Sequence, residues 1–167
     1  AAAAVLLILK WQQAPIAHPP VVLVSLDPVQ EPVAEGIFDH AGYTLRQRAR
    51  FDIQARVLSR RDYRFDRGAD LAPMDLALGW GPMSDQAILD RIDVRQGGRW
   101  YRLRWDPPAP LPEREVMRHS GNMHLIPAND AVADALESVR EGQVIRLQGH
   151  LVDASGADGF TWTTSLS

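Results

Sequence analysis

Between Tyr43 and Leu58 the chain alternates with period two. Odd positions carry Tyr43, Leu45, Gln47, Ala49, Phe51, Ile53, Ala55 and Val57; even positions carry Thr44, Arg46, Arg48, Arg50, Asp52, Gln54 and Arg56. On a helix these two classes would be scattered around the axis, whereas on a strand each occupies one face. The segment therefore reads as a long strand with its apolar side on a core and its arginines in water. Strands usually run five or six residues, so one this long bends or curls, as barrel strands do.

The remaining signals fit around that strand. Ser84 reads as the N-cap of a short helix with Ile88, Leu89 and Ile92 on one face. Residues 92–105 read as a hairpin turning at Gly97-Gly98. A second helix begins at the cap Asn129, carries Val132, Leu136 and Val139, and ends at Gly142. Residues 143–152 alternate again, with a bend or bulge expected at Gly149, and a turn at 155–159 leads into a last strand from Phe160. Strand, short helix, hairpin, helix, hairpin predicts a mostly β (α+β) fold: a small, partly open antiparallel β-barrel with two short helices and an N-terminal hydrophobic helix. The stretch from Glu141 to Val152 is similar to an opening hairpin of OB-type barrels.

Residues 1–11 open on nine apolar residues followed by Lys10 and Trp11. Nine helical residues at about 1.5 Å each fall short of a hydrocarbon core of about 30 Å, so the segment reads as the remnant of a membrane anchor with Trp11 at the interface. Residues 12–42 hold Pro15, Pro19, Pro20, Pro28 and Pro32, a spacing that blocks helix and most sheet pairing. They read as an extended strap, with Val21-Val22-Leu23-Val24 docking as an edge segment on the 43–167 domain. Absence of a turn after Thr163-Thr164-Ser165-Leu166 leads to the expectation that the natural chain continues.

Charge and cysteine content limit the chemistry. The net charge of −3 argues against a strongly basic nucleic-acid binder. With no cysteine, disulfides, thiolate catalysis and Cys-ligated zinc are excluded. No cofactor is indicated. Four places could carry chemistry. In the 119–124 stretch, read as a loop, His119, Ser120, Asn122 and His124 are candidate catalytic groups, with His124 or His150 as base for Ser120. His119 and His124 are also weak metal candidates, lacking a clear third ligand. Asp62, Asp66, Asp70 and Asp75 could bind a hard cation, but the interleaved Arg61, Arg64 and Arg67 make mutual ion pairing the simpler reading. Trp100, Arg102 and Arg104 share a strand face and are candidate ligand-binding residues; stacking aromatics on a cationic groove would suit an oligonucleotide or glycan. Trp80, flanked by glycines, is a candidate in a ligand cleft, although a Trp in this setting more often plugs a barrel end.

The stretches FDIQARVLSRRDYRFDRGADLAPMDLALGWGPMSD and HSGNMHLIPAND resemble a family of uncharacterised small bacterial proteins with one N-terminal membrane segment and an extracytoplasmic body. The likeness spans most of residues 18–167. It implies a protein anchored on the periplasmic face of the inner membrane, and brings no activity or cofactor with it. The function expected is a membrane-anchored envelope binding or assembly module with an envelope protein as possible partner, leaning away from an enzyme. The alternatives are a small envelope hydrolase or metal-dependent enzyme using the 119–124 stretch, and an oligonucleotide- or glycan-binding barrel.

Overall fold

The computed structural model describes residues 14–166; the anchor reading of residues 1–11 lies outside them. Among the described residues nine strands form two sheets. The alternating segment is one continuous strand, β3 (Tyr43–Asp62), longer than its pattern because the ladder carries on past a bulge between Val57 and Ser59. Its inward residues Leu45, Ala49, Ile53, Ala55 and Val57 are buried, while Arg46, Arg48 and Arg50 are exposed.

Partners line both edges of β3. Along one edge runs β8 (Val144–Gly156), which continues into the short β9 (Thr161–Trp162). The other edge is shared in turn by β2 (Ile37–His40), β1 (Val29–Pro32) and β4 (Met74–Gly79), and β4 in turn pairs with β7 (Ser120–Leu125). The order β7-β4-β3-β8-β9 makes a curled antiparallel half-barrel. A separate hairpin, β5 (Asp93–Gly97) with β6 (Trp100–Arg104), covers part of it.

All six residues of β4 are buried, because both of its faces are packed. Met74, Leu76 and Leu78 join Ile53, Ala55, Val57, Trp80, Leu136 and Val139 in the main core. On the opposite face Asp75 and Ala77 stand beside His124 and Asn122 of β7, with the β5–β6 hairpin over Asn122. A smaller cluster of Leu45, Leu71, Ala154 and Phe160 forms where the chain after β3 returns to the strand's own beginning, and Tyr43 Oη donates to Asp70 at 2.9 Å.

The described residues hold three short α-helices, not two: α1 (Gln86–Leu89), α2 (Glu113–Arg118) and α3 (Asp130–Glu137). Helix α2 escapes a periodicity reading because it is six residues long with one buried side chain, Val116. The cap of α1 is Asp85, whose carboxylate accepts from Ala87 N–H; Ser84 closes the preceding 3-10 turn instead. Asn129 caps α3 as expected, but the helix stops at Glu137, Val132 is exposed, and Gly142 lies beyond it. Gly149 pairs regularly with Phe51; the irregularity in this ladder falls between Gln47 and Ala49.

The proline-rich strap is built into the fold. Its first half is tied down by single bonds: Ile16 N–H donates to Glu141 O, and Leu23 and Val24 N–H both reach Ser84 Oγ at 3.0 Å. Gly142 has φ +82°, and a Cβ there would sit 2.0 Å from the Ile16 carbonyl oxygen, so the strap crosses at a point only glycine permits. The edge strands are 29–32 and 37–40 rather than 21–24, since prolines are tolerated where a strand's free side needs no N–H.

β2 and β3 meet in a two-residue turn whose central residues are Ala41 (φ 50°) and Gly42 (φ 82°). Both lie in the left-handed region that such hairpins require, which costs a non-glycine residue about 1 kcal/mol. Ala41→Gly is expected to stabilise the protein by about 0.5–1 kcal/mol, read as a higher urea midpoint at unchanged slope.

Candidate functional site

Residues 120–124 lie on the strand β7 and His119 caps the end of α2, which decides which of these groups can meet. Ser120, Asn122 and His124 alternate onto one face of β7, and His124 stands directly across from Asp75 of β4. The Asp75 carboxylate is fully buried; it accepts from Arg99 Nη1 at 2.9 Å and from Asn122 Nδ2 at 3.5 Å, and His124 Nδ1 lies 2.9 Å from it. A buried carboxylate is stable only with such donors around it.

Arg99 comes to this place from the tip of the β5–β6 hairpin, where it adopts φ 69°. Its guanidinium donates to both oxygens of Asp66, at 2.5 and 3.0 Å, and to Ala72 O at 2.8 Å. It lies 3.8 Å from the centre of the Tyr63 ring and 5.2 Å from that of Trp162. Burial would lower its pKa, but the Asp66 and Asp75 carboxylates outweigh that and raise it, so the charge is fixed. Burial likewise pushes the Tyr63 phenol up.

Asn122 bridges the network to the hairpin: its Nδ2 donates to Arg99 O at 3.2 Å and its Oδ1 accepts from Gln96 Nε2 at 2.6 Å. His124 is stacked on Trp162, with ring centres 4.7 Å apart and planes at 12°. Because β7 and β9 are the two ends of the sheet path, this stack closes the open side of the half-barrel.

The four catalytic candidates are thus divided. Asn122 and His124 join Asp75. His119 belongs to the end of α2, where its Nδ1 meets Glu115 O at 2.8 Å and its ring packs on Gly81. Ser120 is buried, donates to Val116 O at 2.7 Å and pairs with Tyr101 Oη at 3.2 Å. Four residues along one strand span about 13 Å, so His124 is out of reach of Ser120. His150, the other candidate base, is exposed opposite Arg50 on the far side of the sheet. Among the described residues no group of three or more His, Asp or Glu side chains is arranged to hold a metal.

The ligand-binding candidates also separate. Trp80 is buried in the main core. Trp100, Arg102 and Arg104 are exposed together on the outer face of β6, with Tyr101, Leu103 and Trp105 facing inward as their alternation predicts. Of the acidic cluster, Asp62 pairs with Arg60 and Asp66 with Arg99, while Arg67 reaches Asp158, so the pairing is real but the interleaved arginines are not the partners. Sequence reading missed Arg99, Tyr63 and Trp162, whose roles depend on contacts between distant segments.

The arginine side of β3 is neutralised by its neighbours. Arg46 bonds Glu35, Arg48 approaches Asp153 at 3.6 Å, and Arg50 approaches Glu31 at 3.8 Å. Across the ladder, Arg146 makes a two-point pair with Asp52, at 2.9 and 2.7 Å. These pairings leave no continuous cationic track along β3. Compared with known protein families, curated proteins and solved structures, the chain matches none.

Two expectations follow. Asp75→Ala removes the shared acceptor of Arg99 and Asn122 and leaves the Arg99 charge without that partner, and should cost about 3–5 kcal/mol in chemical denaturation. The hydrogen bonds from Arg146 and Gln148 hold the Asp52 carboxyl down to about 2, from an ordinary 3.8. A depressed carboxyl contributes stability that is present above the unfolded value and lost as pH falls through the folded one. Asp52→Asn should therefore flatten the fall in melting temperature between about pH 4 and 2.

Proposed function

We propose that the chain is a non-catalytic binding or assembly module of the bacterial cell envelope, held at the membrane through the segment preceding residue 14. The observation that carries the non-catalytic part is the fate of the polar groups between 119 and 124. Ser120 is buried under Tyr101, Asn122 is used up in bridging, and His124 is clamped between Asp75 and Trp162. Ser120 and Asn122 spend hydrogen bonds on closing the fold, and His124 spends its ring face on Trp162. Two clefts lie elsewhere: one of about 100 Å³ beside Arg50 and Asp52, the other of about 300 Å³ between the strap and Arg56. The membrane part rests on the apolar opening of the sequence and on the family resemblance; no described helix is long and apolar enough to cross a bilayer.

One observation favours the enzymatic alternative. The Asp75 carboxylate lies 2.9 Å from His124 Nδ1, the kind of carboxylate–imidazole neighbourhood in which a general base is oriented. A base needs a partner to act on, and the hydroxyl supplied by the same strand, Ser120, points into α2.

The full-length chain is expected to stay with the membrane through alkaline carbonate washing. It should show no turnover of ester, amide, glycoside or phosphodiester substrates above a heat-denatured control. Hydrolysis by the wild type that His124→Gln abolishes, in a variant that still melts cooperatively, would overturn the non-catalytic reading; release by carbonate would overturn the anchored one.

A further inference from the structure

We infer that the joined tips of the β5–β6 hairpin and the 63–66 loop form a second membrane contact, which inserts Phe65 and Trp100 into the interface of an anionic bilayer. The inference rests on the reading that the chain works at a membrane, and it names a part of the folded body that touches lipid.

Phe65 is 100% exposed and Trp100 is 74% exposed, the two most solvent-accessible large apolar side chains among the described residues. Neither sits on a floppy tail. Arg99 N–H donates to Tyr63 Oη at 3.1 Å, and the Arg99 guanidinium clasps both oxygens of Asp66. Phe65 lies between two tethered residues and Trp100 follows the third, so both rings project from one fixed unit. Holding aromatic rings rigidly in water has no value for the fold; it lowers the entropy lost when those rings find an apolar phase.

The surrounding charges favour an anionic one. Each nearby acid is already engaged: Asp62 by Arg60, Asp66 by Arg99, Asp93 by Arg95. Arg61, Arg64 and Arg102 have no carboxylate partner among the described residues. Arg102 stands directly across from Arg95, whose own carboxylate partner is Asp93. Aromatic tips ringed by uncompensated arginines match the composition of membrane–water interfaces. The rings sit on convex apices, and neither of the two clefts reaches them. A soft lipid surface accepts such wedges, whereas a protein partner would have to supply matched concavities.

The test uses the full-length chain with vesicles of phosphatidylcholine alone or mixed with phosphatidylglycerol, carrying brominated acyl chains. Two signals are read: flotation with the vesicles, and quenching of Trp100, taken as the difference between wild type and Trp100→Phe. Quenching of Trp100 is expected in the anionic vesicles and at least several-fold less in the neutral ones. Phe65→Ser and Arg102→Glu should each weaken it, and circular dichroism should be unchanged because both side chains are exposed. Flotation without Trp100 quenching overturns the second contact and leaves the anchor standing. Quenching without lasting flotation supports the contact and removes the anchor. Absence of both overturns both, as does equal quenching in the charged variants for the anionic preference. A tip reserved for a protein partner would give the first of these outcomes.

Discussion

A twenty-residue strand cannot stay flat, and most of this architecture follows from that. The right-handed twist accumulates along β3 until the chain leaving its end lies beside its beginning, where Asp70 meets Tyr43. Every other strand of the large sheet pairs with β3 or with a strand that does. The curl gives the apolar side a concave interior and leaves the opposite side convex and charged. It also brings β7 and β9, the two ends of the sheet, within ring contact of each other. Closure is made by side chains instead of a backbone ladder, and the groups that make it must satisfy a buried carboxylate at the same time.

Sequence pattern carried the first of these layers and not the second. Alternation in 43–58 reports only which side of a strand is wet, and it did so for Thr44, Arg46, Arg48, Arg50 and Gln54, which are exposed; Asp52 and Leu58 are half-buried, and Arg56 is buried with its Nη1 on Ser84 O and its Nη2 on Gln86. The β5–β6 hairpin was legible because its turn chemistry is local. Edge strands β1 and β2 were not, because proline density suppresses a strand reading even where a strand needs hydrogen bonds on one side only.

The candidate site shows the same division. His124, Asn122 and Asp75 were each notable as residue types, but nothing in their spacing says that positions 49 apart in sequence stand face to face. Placing residues 120–124 on a strand and His119 at the end of α2 was the missing step: it parts the two histidines and puts His124 four strand residues away from Ser120. A short stretch of mixed polar and apolar residues next to a six-residue helix carries too few periods for that assignment.

Arg99 shows how a locally unfavourable choice is stabilised by distant partners. Its position in the hairpin turn asks for glycine or asparagine, and an arginine there costs about 1–2 kcal/mol of backbone strain. In return its side chain makes charge-assisted hydrogen bonds to Asp66 and Asp75, each worth about 1.5–3 kcal/mol. Without it, the buried Asp75 carboxylate would lose its arginine partner. The balance favours the strained arginine, and the left-handed backbone in turn aims the guanidinium back over Tyr63 instead of out into solvent. The same residue thus pins the hairpin tip to the 63–66 loop and neutralises the carboxylate that seats His124, so half-barrel closure and the rigid presentation of Phe65 and Trp100 are one mechanical unit.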